Sequence, residues 1–225
     1  MEYVLEVELM KIIKRTAAQY WQHPFFEIKN DLMELSPTTK LLLTAVLSSF
    51  ATIFQSAGGY VPGIGFFVSA LTTLPIFGAT ILSIRYGFLS YFVTILLLLF
   101  IQPSELIIFP FTTGILGLAL GITVFKSKTK FAVILLGGAS LFIGIIVLLY
   151  LFRFPVLGPG VSTSFQFLPL LVIAIFSISY AWLAAIACSF ALNRLTRTLP
   201  YRIIHPASGY LENGSVKKEK VEARK

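Results

Sequence analysis

Five stretches of this chain carry no charged side chain: residues 41–84, 86–104, 106–125, 131–152 and 154–193. A helix that crosses the hydrocarbon core of a bilayer needs about 20 predominantly apolar residues, and every stretch is roughly that long or longer. Only Arg85, Glu105, Lys126, Lys128, Lys130 and Arg153 bring charge to residues 41–193. Charged residues make up 12% of the chain, against roughly 25% in an ordinary soluble domain. The pattern argues against a soluble enzyme and predicts an all-α, polytopic membrane protein.

The two longest stretches exceed one crossing, and glycine and proline mark where each divides. The first breaks at Gly58 to Gly65 (GGYVPGIG), which gives spans over about 41–57 and 66–84. Arg85, Tyr86 and Gly87 then read as a tight turn, and a third span runs to about Ile101. Gln102, Pro103 and Ser104 turn the chain into a fourth span, Glu105 to Phe125. A basic loop, Lys126 to Lys130, leads into a fifth over about 131–152. Residues 153–164 (RFPVLGPGVSTS) hold two prolines and two glycines, which a lipid-facing helix does not accommodate. The last span covers about 165–192, making six transmembrane helices.

An even number of crossings puts both ends on one side, and lysine and arginine accumulate on the cytoplasmic side. With the N- and C-termini cytoplasmic, that side receives 17 of the 18 basic residues, and only Arg153 lies outside. Reading residues 66–101 as one tilted helix would give five spans and a helix of about 54 Å at 1.5 Å per residue. It would also move the basic tail to the opposite side. The expected protein is thus multi-pass in the cell membrane with membrane lipids as its first partners.

Residues 1–40 form a cytoplasmic N-terminal segment, 41–193 the six-helix domain, and 194–225 a basic cytoplasmic tail expected to be disordered after about 210. Within the first segment, Val4, Leu5, Leu9, Ile12 and Ile13 recur against Glu6, Glu8, Lys11, Lys14 and Arg15. Tyr20, Trp21, Phe25 and Phe26 add interfacial aromatics, so an amphipathic helix is expected there. The first apolar span starts only at Leu41, and no cleavable signal peptide is visible.

Several chemistries find no residues. Cys188 is the one cysteine, so neither an intrachain disulfide nor a thiolate metal cluster can form. His23 and His205 lie outside the apolar middle, which leaves an intramembrane metal site without visible ligands. No nucleophile, acid pair or metal cluster points to an enzyme, and no cofactor is implied. The net charge of +8 sits where it meets the inner leaflet rather than a nucleic acid.

The polar residues of the three outer connections define a candidate ligand mouth: Gln55, Tyr60, Gln102, Glu105, Arg153 and Gln166, with Ser162, Thr163 and Ser164 beside them. An apolar pocket with a few polar anchors is the usual form of a small-molecule site; ordinary interfacial loop residues are the alternative. Glu105 also suits the start of a helix, where a carboxylate complements the dipole. Arg153 can equally snorkel to lipid headgroups, face Glu105 or meet an anionic ligand. Gly58, Gly59, Gly63 and Gly65 suit either a moving lid or tight turns. Small residues four apart (Ala45 and Ser49, Ser48 and Thr52, Gly117 and Gly121, then Ala181, Ala185 and Ser189) permit close helix packing, inside the bundle or against another subunit.

Six spans with both ends inside, a small-residue first helix and the run GGYVPGIGFFVSALTTLPI together resemble the substrate-capture (S) subunits of energy-coupling factor importers and related small bacterial inner-membrane proteins. The resemblance covers about residues 40–192. It implies capture of a small organic ligand, a vitamin or precursor, from the outer side with the first loop as lid. It further implies docking of the first helix on a transmembrane coupling subunit that works with ATPases. The family's alanines four apart correspond to Ala45 and Ser49, the second replaced by serine. The family's metal-transporting branch uses an outer N-terminal histidine, and this chain begins with Met1, Glu2 and Tyr3. The competing reading is a non-transporting membrane scaffold or regulator acting through its cytoplasmic segments.

Overall fold

A computed structural model describes residues 35–61, 63–126, 130–152 and 167–198. Ser36–Ala191 is one of two compact units of the chain and holds six helices long and apolar enough to cross a membrane. Of the other unit, Met1–Leu35 with Leu192–Lys225, only Leu35 and the end of the last helix are described. The expected amphipathic helix and the basic tail after residue 198 lie outside the described residues, which contain no β-strand.

The first span is α1, Pro37–Tyr60. Ser36 caps it, its hydroxyl accepting from the Thr39 N–H at 3.2 Å, and Pro37 pre-sets the first helical position. Thr44, Ser48, Ala51, Thr52, Gln55 and Ser56 recur at helical spacing on its buried face. Leu42, Val46, Phe50 and Ile53 are exposed. Small and polar inside, large and apolar outside, reverses the pattern of a soluble helix. Lipid solvates the outer face, and small inner residues let backbones approach.

The second span is α2, Ile64–Ala70, followed by α3, Thr73–Leu82. The interruption at Leu71 and Thr72 follows from Pro75, which has no N–H for the Leu71 carbonyl four residues back and whose ring crowds that oxygen. Ser83 alone, in extended conformation, joins α3 to α4, Ile84–Ile101. The turn is therefore at Ser83, and Arg85, Tyr86 and Gly87, expected to form it, lie in the first turn of α4. The backbone at Gly87 presses against Thr80, leaving no room there for a side chain.

The fourth span is likewise divided, into α5, Glu105–Phe111, and α6, Thr113–Lys126. Pro110 weakens α5 from within, and Thr112 leaves the helical path at φ −120° and ψ −100°. The fifth span joins α7, Lys130–Ile146, to a π-helical turn, Val147–Leu151. Its Gly144 backbone lies directly on the Phe111 carbonyl. The last span belongs to α8, Phe167–Thr198.

The first connection is shorter than the sequence suggests. Gly58 and Gly59 continue α1, Gly65 belongs to α2, and only residues 61–63 lie between, with Gly63 at φ +78°. The expected glycine-rich lid over 58–65 is thus largely helix, because the glycines provide clearance for neighbouring side chains rather than loop freedom.

Two tyrosines fix the sense of the bundle. Tyr86 donates to the Pro37 carbonyl at 3.3 Å and Tyr60 to the Ile101 carbonyl at 2.8 Å, so α1 and α4 run parallel, tied at both ends. Gly121 packs on Thr80, so α6 ends beside the end of α3. Lys40, Arg85 and Lys126 accordingly share one end of the bundle, and Glu105 lies at the opposite end. Between these ends, Ile76, Leu98, Phe109, Leu116 and Leu120 are fully buried. Ser48 donates to the Ser90 hydroxyl at 2.9 Å, joining α1 to α4.

Candidate functional site

The last turn of α1 meets the turn between the third and fourth spans residue by residue. Gly58 faces Glu105, whose Oε1 lies 3.0 Å from where a Cβ on that glycine would stand. Gly59 faces the Gln102 side chain, so closely that any larger residue would displace it. Tyr60 places its hydroxyl on the Ile101 carbonyl. The sequence Gly58-Gly59-Tyr60 therefore acts as a bed for Ile101, Gln102 and Glu105.

One turn deeper, Gln55 is 2% exposed and bridges two buried groups. Its amide nitrogen donates to Glu105 Oε2 at 2.8 Å, and its carbonyl oxygen accepts from the Thr113 hydroxyl at 2.7 Å. Donation runs in one direction, from Thr113 through Gln55 to Glu105, so the chain of bonds ends on an acceptor. Glu105 is 6% exposed, and among the described residues no cationic side chain pairs with it. A carboxylate withdrawn from water needs such partners, because each unsatisfied lone pair is costly in an apolar setting.

The site stands where helices are interrupted. Thr113 opens α6 just past the break at Thr112, and the break in the second span lies at a similar distance from the Glu105 end. Irregular backbone at membrane depth occurs where protein buries it or a cavity accepts it. Here two phenols satisfy it. Tyr91 donates to the Pro110 carbonyl at 3.1 Å and Tyr180 to the Ala70 carbonyl at 3.4 Å. Neither carbonyl receives a backbone N–H across its break. Interrupted spans also form the substrate sites of many transporters.

Four of the six mouth residues expected from sequence are thus brought together: Gln55, Tyr60, Gln102 and Glu105. Gln55 and Glu105 touch. Gln102 donates instead to Ser104 at 2.9 Å, and the hydroxyl of Tyr60 is engaged by backbone while its ring is exposed. Arg153 and Gln166, with Ser162, Thr163 and Ser164, lie outside the described residues. Thr113 was not among the candidates; its signal in the sequence is a threonine pair two residues after Pro110 within a span.

The small-residue pairs divide. Ser48 and Thr52, Gly117 and Gly121, and Ala181, Ala185 and Ser189 are buried within the bundle. Ala45 and Ser49 are exposed on α1, with the Ser49 hydroxyl returned to the Ala45 carbonyl at 3.0 Å. Among the described residues no three His, Cys, Asp or Glu side chains gather as a metal site. Comparison with family models, curated proteins and solved structures gives no match.

Proposed function

We propose that the protein captures a small organic solute at the Glu105 end of the bundle, as the substrate-capture subunit of an energy-coupling factor importer, and catalyses no reaction itself. The observation that carries this reading is the buried Glu105, bound on one oxygen by Gln55 and resting with the other against Gly58. A site that ends in acceptors complements a ligand group rich in donors or bearing positive charge.

In this reading the end with Lys40, Arg85 and Lys126 faces the cytoplasm of a bacterial cell and Glu105 faces outward, in keeping with the distribution of basic residues. Ala45 and Ser49 form the low, accessible strip on which a transmembrane coupling subunit seats. ATP acts through separate ATPase subunits, since the chain carries no phosphate-cradling motif.

The test is purification in native lipid followed by mass spectrometry. A stoichiometric vitamin-like compound is expected with the wild-type chain and is lost in Glu105→Gln. A paired Ala45→Phe, Ser49→Phe variant is expected to keep the compound and lose pull-down of a coupling subunit. A stable protein partner with no compound would overturn capture and favour the scaffold reading.

A further inference from the structure

Three elements converge on Gly58. Gly65 in α2 has no room for a side chain against the Ala57 carbonyl, so α2 closes on the last turn of α1. Ser69 stands one turn further along α2, on the same face as Gly65. A Cβ built on Gly58 would lie 3.3 Å from the Cβ of Ser69 and 3.0 Å from Glu105 Oε1. The side chain that Gly58 lacks thus separates a serine from one oxygen of a carboxylate. The Ser69 hydroxyl donates to the Phe66 carbonyl at 3.0 Å, which commits its proton and leaves its oxygen an acceptor.

The two oxygens of Glu105 are unequal. Oε2 accepts from the Gln55 amide at 2.8 Å, whereas among the described residues Oε1 accepts from none. Thr113 holds the far end of that amide at 2.7 Å, which fixes the oxygen that Gln55 serves. A charge withdrawn from water is stabilised best by an opposite charge, and charge-assisted bonds are about twice as strong as neutral ones.

This inequality selects among cations. A guanidinium grips a carboxylate through two parallel bonds, one to each oxygen, and Gln55 already occupies Oε2. A quaternary ammonium has no N–H to give. A calcium ion takes about six to eight oxygens, and among the described residues no three acids or histidines gather. A primary ammonium presents several N–H donors from one compact centre. We infer, resting on the capture reading, that the solute bears a primary ammonium group and docks it beside Gly58, between Glu105 Oε1 and Ser69 Oγ. The headgroup of phosphatidylethanolamine carries the same chemistry at the membrane interface, so the test separates a lipid from a solute.

The probes are propylammonium, propylguanidinium, propyltrimethylammonium and propanol, titrated against thermal unfolding of the full chain in phosphatidylcholine nanodiscs. Apparent affinity follows from the concentration dependence of the midpoint. Propylammonium is expected to bind about tenfold or more tightly than the other three, the ratio a hydrogen bond to a charged group supplies. Glu105→Gln is expected to abolish that preference. Ser69→Ala is expected to weaken propylammonium about three- to tenfold, the loss of one hydrogen bond. A cooperative melt without probe shows that each variant is folded. No stabilisation by propylammonium, equal binding of any other probe, or a preference that survives Glu105→Gln would each overturn the ammonium assignment. Capture would then stand alone if the compound that co-purifies lacks an amine. In nanodiscs containing phosphatidylethanolamine, unchanged binding of propylammonium assigns the site to a solute. Competition assigns it to the headgroup, which upholds the ammonium site and overturns solute capture.

Discussion

Gln55 hydrogen-bonds Glu105 at 2.8 Å across 50 residues of sequence, joining the inner face of the first span to the start of the fourth. The bond joins two groups that neither lipid nor an apolar core would stabilise alone. Each fixes the other, and both lie beside backbone that has left the helical pattern.

Removing one partner leaves the other stranded. Gln55→Ala is expected to lower stability by about 1–3 kcal/mol, the penalty for a buried group deprived of its bond. Glu105→Gln retains an acceptor for Gln55 and discards the charge, so its melting temperature in detergent should equal or exceed that of the wild type. A melt in which Glu105→Gln is the less stable of the two would refute the assignment of Glu105 as a charge held for a ligand at a cost in stability.

The two phenols at the helix breaks should be separable. Tyr91→Phe and Tyr180→Phe each delete one donor to a carbonyl outside the helical ladder, and interhelical bonds in membranes average about 0.6 kcal/mol. Tyr91→Phe is expected to cost more, because its bond is the shorter, 3.1 Å against 3.4 Å. Equilibrium unfolding of both variants measures the order directly.

Glycine positions offer a contrast of sign. A methyl group at Gly144 would collide with the Phe111 carbonyl, so Gly144→Ala should destabilise by about 1–3 kcal/mol through overpacking. At Gly78 the nearest neighbour is Leu47 Cδ1 at 3.6 Å, an ordinary contact. Gly78→Ala should stabilise by about 0.5–1 kcal/mol by restricting the unfolded chain. Thermal unfolding that moves both variants in one direction would contradict the packing described.

Orientation can be read with thiol chemistry. Cys188 is 1% exposed and buried in the last span, so a membrane-impermeant maleimide should pass it by. In intact cells a cysteine at exposed Ser104 should react and one at exposed Lys126 should not. The reverse labelling would invert the orientation and with it the capture proposal.

The spans were legible because absence of charge is a local property that needs no partner to interpret. Glu105 beginning a helix was legible for the same reason, since Pro103 and Ser104 announce it. Arg85 misled: charge in an apolar chain suggests a turn, yet its exposed side chain is compatible with the first turn of α4, and Ser83 reverses the chain alone. Gly58 and Gly59 misled similarly, because their clearance matters only once Glu105 and Gln102 are brought against them. The pairing of Gln55 with Glu105 depends on the rotation of two helices about their axes. Both residues could be assigned to one end of the molecule from sequence, but not to one bond.

The single residue between α3 and α4 bears on motion. With only Ser83 to bridge them, the second and third spans are bound like facing pages at a spine and cannot part at the Arg85 edge. Any widening between those two leaves must begin at the fore-edge, where Gln102 and Glu105 stand.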